Sequence, residues 1–181
     1  MTVFISGGAK NGKSDFAQEL AVRLADGGKH YYVATMIPCD EEDFGRICRH
    51  LASREGMGFE TIECGKDILS CLDVADSGGT FLLDSTTALL MNELFPDPAS
   101  CEMDVEAGYR CGDDLVSFVK SVRHGVIVSD DIFSDAARYD GVTETYRKCL
   151  AYIDRKLAQA CDTVIEFSAG NVIVHKGEVP V

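Results

Sequence analysis

Eight residues near the amino terminus, GGAKNGKS, have the types and spacing needed to hold a phosphate. They match the Walker A pattern Gly-x-x-x-x-Gly-Lys-Ser in full. Glycines let the backbone curl so that its N–H groups point at phosphate oxygens, and the following helix adds its positive end. The alternative is a Gly-rich turn without a ligand. The pattern predicts a nucleoside triphosphate site formed by Gly7, Gly8, Ala9, Lys10, Asn11, Gly12, Lys13 and Ser14.

Two side chains of this loop have predicted chemical roles. Lys13 would reach the β and γ phosphates, and the Ser14 hydroxyl would bind Mg²⁺. Such a site also has a carboxylate near the metal, at the end of a neighbouring strand. Asp84, which closes the apolar run TFLLD, is the best candidate, while Asp130 and Asp131 compete for the role. A strand-ending Asp can also simply cap the next helix.

A histidine between two arginines marks a second chemical feature. Arg46, His50 and Arg54 are four residues apart and share one face of a predicted helix. The flanking cations would disfavour protonation and keep the imidazole neutral, as a nucleophile must be, and they could bind phosphates. A basic helix face with a solvated histidine is an equally good interpretation of the pattern.

Strands that alternate with helices must position these residues. The apolar patterns predict strands over Met1–Ser6, His30–Thr35, Gly58–Cys64, Thr80–Asp84, Gly125–Asp130, DTVIEF and NVIVHKG. They predict helices over Lys13–Ala25, Asp40–Arg54, Ile68–Val74, Ser85–Leu94, Asp114–Val122 and Thr143–Ala160. The polar segment Phe95–Asp114 is interpreted as an exposed excursion. We expect a P-loop NTPase-like α/β fold, with a mostly parallel sheet flanked by helices and an antiparallel strand after the final turn, SAGN.

Composition narrows the class of protein. The chain has 181 residues, which suits a single domain over residues 1–181. Its net charge of −13 argues against binding to nucleic acid or to an anionic membrane surface. The sequence shows no signal peptide and no membrane-spanning run, so we expect a cytoplasmic protein without membrane insertion. Its eight cysteines contain no CxxC pair and are expected to be reduced thiols.

Five segments in order resemble one known family, the bifunctional adenosylcobinamide kinase/adenosylcobinamide-phosphate guanylyltransferases of cobalamin biosynthesis. They are GGAKNGKS, YYVAT, RICRHLASR, GFETIEC and TFLLDSTTALLMNELF, which together extend over residues 1–95, and the carboxyl-terminal part is similar more loosely. The resemblance implies phosphorylation of adenosylcobinamide, followed by transfer of GMP from GTP to the resulting phosphate. It also implies a guanylyl-histidine intermediate at His50.

The resemblance further implies the ligands and the assembly. GTP and ATP would be substrates, Mg²⁺ the cofactor held by Ser14 and Asp84, and a corrinoid the acceptor. Lys13 and His50 would be catalytic, and the family assembles as a trimer. Beyond the loop, the implied nucleotide contacts are Ala34, Thr35, Met36, Leu51, Ala52, Ser53, Arg54, Glu63 and Asp84.

Several positions depart from the family pattern. Leu51 stands where a basic residue is usual, Phe59 where Trp is usual, and Asp84 where many members have Glu. An Asn-Glu-Val-Gly segment is replaced by SDDIFSD (Ser129–Asp135), and an Asn late in the long helix by Asp154. Two alternatives therefore stay open: a single-activity P-loop kinase of another small alcohol, which needs Lys13 but not His50, and a non-catalytic nucleotide-binding protein.

Overall fold

The computed structural model describes residues 1–97, 100, 102–135 and 137–179, in which seven strands form one sheet. The strands are β1 (Thr2–Gly7), β2 (His30–Ala34), β3 (Glu60–Glu63), β4 (Thr80–Asp84), β5 (His124–Asp130), β6 (Thr163–Ser168) and β7 (Asn171–Lys176). Their order across the sheet is β3-β2-β4-β5-β1-β6-β7. All neighbours are parallel except β6 and β7. The mostly parallel sheet with its antiparallel final strand is confirmed.

The helices follow the predicted alternation. They are α1 (Lys13–Ala25), α2 (Glu41–Ser53), α3 (Cys71–Val74, preceded by a 3₁₀ turn at Ile68–Ser70), α4 (Thr86–Leu94), α5 (Val105–Ser121) and α6 (Gly141–Ala160). Side-chain caps explain several of the starting points: the carboxylates of Asp40, Asp104 and Asp140 each accept a hydrogen bond from a backbone N–H three residues later.

Helix α5 corrects one prediction. The segment Phe95–Asp114 was expected to be an exposed excursion, with a helix only from Asp114, yet α5 begins at Val105. Two glycines misled the prediction, because here they allow close helix packing rather than turns: a Cβ on Gly108 would lie 2.6 Å from Leu94 Cδ2. Residues 98, 99 and 101 of the predicted excursion lie outside the described residues.

The core has two layers because alternate residues of each strand face opposite sides of the sheet. Val3 and Ile5 of β1 pack toward α1, together with Leu82 of β4. Phe4 and Leu83 pack on the other side, where α4, α5 and α6 supply most of the cover. Near-continuous apolar strands are what a sheet covered on both faces requires. None of the helices in the described part of the chain is both long and apolar enough to cross a membrane.

Candidate functional site

The candidate site lies at the sheet edge where the parallel strands end. In the strand register, Gly7 at the end of β1 pairs with Asp130 at the end of β5. Ala34 at the end of β2 pairs with Asp84 at the end of β4. Four chain segments with predicted site residues therefore leave the sheet side by side, which is where parallel α/β folds bind their ligands.

A side-chain hydrogen bond attaches the Gly7–Ser14 loop to β6. Asn11 Nδ2 donates to the carbonyl oxygen of Phe167 at 3.1 Å, and its Oδ1 accepts from the backbone N–H of Lys13 at 3.2 Å. At Gly7 only glycine fits, because a Cβ would lie 2.6 Å from Asn11 Nδ2 and 2.7 Å from the Phe167 carbonyl oxygen. Gly12 has a φ of +90°, which favours glycine as well. The loop is thus held in a fixed curl at the start of α1.

Lys13 is buried and lies against two oxygen atoms of the site. Its Nζ is 2.6 Å from Asp130 Oδ1 and donates to the carbonyl oxygen of Gly8 at 3.1 Å. The second carboxylate oxygen of Asp130 accepts from Thr87 Oγ1 at 2.9 Å. Asp130 therefore connects the phosphate loop with the first turn of α4.

Asp84 is the carboxylate on which the other predicted groups converge. It is half-buried at the end of β4 and accepts a hydrogen bond from the Tyr32 hydroxyl at 3.3 Å. Burial raises the pKa of its carboxyl, and the nearby Asp130 acts in the same direction. A positive charge on His50, a hydrogen bond from Ser14 and the Lys13 ammonium oppose that rise in pKa. Asp84 therefore lies within electrostatic reach of both predicted catalytic residues.

The two candidate carboxylates differ in their partners. The Ser14 hydroxyl lies close enough to Asp84 to lower the pKa of that carboxyl, whereas Asp130 forms the ion pair with Lys13. Asp131, the third candidate, accepts from the Phe133 backbone N–H at 2.9 Å and from the Ser134 hydroxyl. This last pattern is a local turn, so Asp131 is occupied by its own segment.

Helix α2 is attached to the site by its carboxyl-terminal end. Gln18 of α1 is buried and donates to Ser53 Oγ at 3.3 Å, and that hydroxyl donates to the His50 carbonyl oxygen at 3.1 Å. Arg54 is buried with its guanidinium carbon 3.9 Å from the centre of the Tyr32 ring. None of the residues of α2 itself is buried. These contacts hold His50 near Asp84 while leaving the rest of the helix in solvent.

The segment after β2 is fixed mainly by side chains of its neighbours. Thr35 is buried, and its hydroxyl donates to the Ser85 carbonyl oxygen at 2.8 Å and accepts from the Ser85 N–H at 2.9 Å. Asn92 Nδ2 donates at 2.8 Å to the carbonyl oxygens of both Thr35 and Gly65. The Thr35 side chain therefore positions the turn after Asp84, and its contact with a nucleotide stays a prediction.

The remaining predicted nucleotide contacts are spread around this edge. Ala34 and Met36 are half-buried beside the site, whereas Ala9, Lys10, Leu51 and Ala52 are exposed. Glu63 is exposed at the end of β3, the edge strand next to β2. Lys13, Ser14 and His50 thus all lie within electrostatic reach of Asp84. Ser53 accepts a hydrogen bond from Gln18 and Arg54 lies over Tyr32, both at the end of α2.

Three supporting residues were missed from the sequence: Gln18, Tyr32 and Asn92. Gln18 could have been noticed, because it is a polar residue on the apolar face of α1. Tyr32 bridges Arg54 and Asp84, but nothing in a strand pattern distinguishes it from a core tyrosine. Asn92 interrupts the apolar pattern of α4 and could have been noticed as well.

A metal ion would depend on the nucleotide for most of its ligands. Within residues 1–97, 100, 102–135 and 137–179, no three His, Cys, Asp or Glu side chains are grouped so that they could hold a metal by themselves. Ser14 and Asp84 do offer two neighbouring oxygen donors. In nucleotide sites Mg²⁺ is bound by oxygen atoms of one or two side chains and of the phosphates. The residues present therefore fit Mg²⁺.

Comparisons with known proteins agree on family and fold. Residues 3–174 match the family described as cobinamide kinase / cobinamide phosphate guanyltransferase. The bifunctional adenosylcobalamin biosynthesis protein CobU of Salmonella typhimurium is 27% identical over 176 residues, which cover 91% of this chain and 93% of that protein. The protein of that description from Pseudomonas aeruginosa, CobP, is 28% identical over 180 residues, covering 98% and 99%.

Solved structures resemble the fold at low sequence identity. A KaiC-like protein from Pyrococcus horikoshii superposes with a TM-score of 0.57 at 14% identity, covering 98% of this chain and 79% of its own. An ATPase from a bacterial type III secretion system gives a TM-score of 0.52, also at 14% identity, covering 93% and 51%. These likenesses confirm the P-loop NTPase-like α/β fold.

Proposed function

The chain belongs to the cobinamide kinase / cobinamide phosphate guanyltransferase family, and we propose that its site carries out both reactions in turn, the second through a guanylyl-histidine at His50. The enzyme class follows from the family match. The assignment of the two reactions to particular residues is our proposal.

One observation carries this proposal. Lys13, Ser14 and His50 all lie close enough to Asp84 to lower the pKa of its carboxyl, so the three groups proposed to bind phosphate, bind the metal and act as nucleophile surround one carboxylate. A plain kinase has no use for the third group. A single loop with a histidine opposite it suits a site that first handles the γ phosphate and later the α phosphate of a bound nucleotide.

In the kinase step the chain supplies position and positive charge. A triphosphate in the Gly7–Ser14 loop would meet the backbone N–H groups of the loop and Lys13, which would exchange its partner Asp130 for a phosphate oxygen. The acceptor hydroxyl oxygen attacks the γ phosphorus and loses its proton to solvent, the bond from the γ phosphorus to the β-phosphate oxygen breaks, and the nucleoside diphosphate leaves. ATP and GTP both offer the required triphosphate.

In the guanylyl step a neutral His50 imidazole attacks the α phosphorus of GTP. A nitrogen–phosphorus bond forms, the bond to the β-phosphate oxygen breaks, and pyrophosphate leaves. The phosphate of the acceptor then displaces the imidazole and takes the GMP. Mg²⁺ held by Ser14 and Asp84 would neutralise charge on the leaving phosphates. The contacts of Gln18 and Arg54 hold the end of α2, and so His50, in position for attack.

The first test is self-labelling with GTP carrying a label on its α phosphate. The pure protein is incubated with this GTP and Mg²⁺, without any corrinoid. We expect label that is labile in acid and stable in alkali, as a phosphoramidate is, and we expect His50→Ala to abolish it. His175→Ala is the matched control, because His175 is exposed on β7, where it contacts Glu166, and it should label like the wild type.

Two outcomes would contradict the proposal. Wild-type protein that binds GTP but takes no label would exclude the histidine intermediate. The single-activity kinase would then be tested by transfer of a γ-phosphate label to an alcohol. Label that persists in His50→Ala would place the nucleophile elsewhere. The trimeric assembly, the cytoplasmic location and the choice between ATP and GTP as phosphate donor stay predictions.

A further inference from the structure

A cavity of about 640 Å³ opens next to the phosphate site. It lies between α4, the segment after β5 and the first turns of α6. Its walls include Met91, Ile132, Tyr139 and Tyr146. Cavities of this size hold small organic ligands, and apolar or aromatic walls with a few polar groups are typical of them.

Arg147 lines this cavity and has a hydrogen-bond donor without a partner. Its Nη1 donates to Glu144 Oε1 at 2.8 Å, and its guanidinium lies 5.1 Å from the centre of the Tyr139 ring. Its Nε is buried and has no hydrogen-bond partner in the described part of the chain. A buried donor without a partner is costly, so a ligand that brings an acceptor to Arg147 would be favoured.

The charge around the cavity limits the kind of ligand. Asp131 and Asp135 line it, and Glu144 is paired with Arg147, so among the described residues of its walls negative charge exceeds positive charge. An anionic group inside the cavity would be repelled by these carboxylates. The walls therefore suit an uncharged chain that has hydrocarbon parts and a hydrogen-bond acceptor for Arg147.

A chain of contacts connects this cavity to Lys13 of the Gly7–Ser14 loop. The hydroxyl of Tyr146, which lines the cavity, donates to the Thr87 carbonyl oxygen at 3.1 Å. Thr87 Oγ1 donates to Asp130 Oδ2 at 2.9 Å, and Asp130 Oδ1 is 2.6 Å from Lys13 Nζ. A ligand seated against Tyr146 is thus separated from the phosphate-binding lysine by two residues.

We propose that this cavity is the acceptor subsite of the phosphoryl-transfer step, that it takes an uncharged alcohol chain with hydrocarbon parts, and that Arg147 is a specificity-determining contact which donates to a hydrogen-bond acceptor of that chain. The inference rests on the proposed kinase function, because that function supplies the alcohol. The hydroxyl end of the chain faces Asp130 and Lys13, so the new phosphate forms outside the acidic cavity and beside the basic loop.

The test compares the acceptor kinetics of two variants with the wild type. Arg147→Gln removes the charged donor, and Met91→Trp narrows the cavity at a side chain that is 46% exposed, so the core is not disturbed. The assay uses adenosylcobinamide as acceptor and γ-labelled ATP. Each variant should raise the KM for the acceptor about tenfold, because Arg147→Gln loses one charge-assisted hydrogen bond and Met91→Trp loses a similar amount of contact with the ligand. The kcat should change less than about twofold.

Two controls separate recognition from folding. Glu144→Gln breaks the ion pair with Arg147 but keeps the guanidinium, so its KM should stay within about twofold of the wild type. Self-labelling of His50 by GTP without acceptor should be unchanged in all three variants, because the cavity takes no part in that reaction. Ultrafiltration of the coloured corrinoid without nucleotide measures acceptor binding directly.

The outcomes distinguish this inference from the proposed function. Wild-type KM values in both Arg147→Gln and Met91→Trp would overturn the subsite while the kinase stands. Equal increases of KM in Arg147→Gln and Glu144→Gln would show that the guanidinium only supports α6. Loss of self-labelling in Arg147→Gln would assign Arg147 to the nucleotide side. A wild-type protein that neither binds nor phosphorylates the corrinoid would overturn both proposals.

Discussion

The nucleotide side and the acceptor side of the site are built differently. The nucleotide side consists of the Gly7–Ser14 loop and Asp84, and it is set between buried strands with its key lysine at 5% exposure. The acceptor side consists of the segment from Ser129 to Arg147. Within it, the described residues between Phe133 and Val142 are all exposed. A rigid loop suits a triphosphate, which is the same in every nucleotide, whereas an exposed segment can change with the acceptor.

Two departures from the family pattern, SDDIFSD and Asp154, concern the acceptor side, whereas Asp84 departs on the nucleotide side and Leu51 and Phe59 depart elsewhere. The loop and His50 agree with the pattern, while SDDIFSD and Asp154 do not. The structure shows that two of these departures contact each other, because Ser129 Oγ donates to Asp154 Oδ1 at 2.8 Å. They therefore form one change on the acceptor side, and this side is where we expect the enzyme to differ from its relatives.

Removing the lysine gives the largest expected effect and tests whether the nucleotide side serves both reactions. Lys13→Ala should lower both kinase activity and self-labelling by about a hundredfold or more, because one group stabilises the phosphates in each. Lys148→Ala, at an exposed position on α6, is the control and should change neither rate. A Lys13→Ala protein that keeps either activity would show that the reactions use separate phosphate sites.

Substitutions of the two strand-end carboxylates, Asp84 and Asp130, should have different effects on the Mg²⁺ requirement. Asp84→Asn should raise the Mg²⁺ concentration needed for half-maximal self-labelling by about tenfold, because it weakens a metal ligand beside Ser14. Asp130→Asn should leave that requirement unchanged, since its carboxylate lies against Lys13 and Thr87 rather than beside Ser14. Equal effects of the two variants on Mg²⁺ dependence would remove the distinction.

Asp154, which contacts Ser129 at the start of the acceptor side, should make the stability of the protein depend on pH. Burial raises the pKa of its carboxyl to about 7, whereas an unfolded Asp titrates near pH 4. Between these values the native state keeps a proton that the unfolded state releases, so stability falls as pH rises from about 4 to 7. Asp154→Asn cannot ionise and should be more stable than the wild type at pH 8, by roughly 1–3 kcal/mol after allowance for partial exposure.

Denaturant unfolding of both proteins at pH 5 and pH 8 checks this prediction. The gain should be small at pH 5 and larger at pH 8, because the wild type is protonated at the lower value. The control is Asp113→Asn, since hydrogen bonds with Lys156 and Tyr152 lower the pKa of that carboxyl. A gain in Asp154→Asn that is the same at both pH values would refute a titrating Asp154.

The smallest expected effect tests the attachment of α2 to the nucleotide side. Gln18→Leu removes the hydrogen bond to Ser53 and should slow self-labelling of His50 about threefold, the cost of one neutral hydrogen bond, with the kinase rate unchanged. Glu19→Leu, at the exposed neighbouring position on α1, should alter neither rate. Parallel losses of both activities in Gln18→Leu would indicate damage to α1 rather than to the position of His50.

The sequence by itself determined most of the fold and the chemical centre. Helix α1 and strand β4 have the predicted boundaries because their signals are local: a helical apolar spacing ended by glycines, and a buried apolar run. The loop and the strand-end Asp84 were predictable for the same reason, since the Walker A spacing and a terminal carboxylate are visible within a few residues. The sequence prediction made helix α5 too short, because Gly108 packs against Leu94 of another helix, a contact that no local pattern shows.

Only the tertiary structure decided which side chains each carboxylate contacts and where the cavity that we propose for the acceptor lies. Asp84 and Asp130 both end apolar strands, and no local pattern shows that one meets Ser14 while the other meets Lys13. The cavity walls come from α4, the segment after β5 and α6, which are far apart in the chain. The apolar spacing of a segment specifies its own helix or strand. A site depends on long-range packing that brings separate segments together.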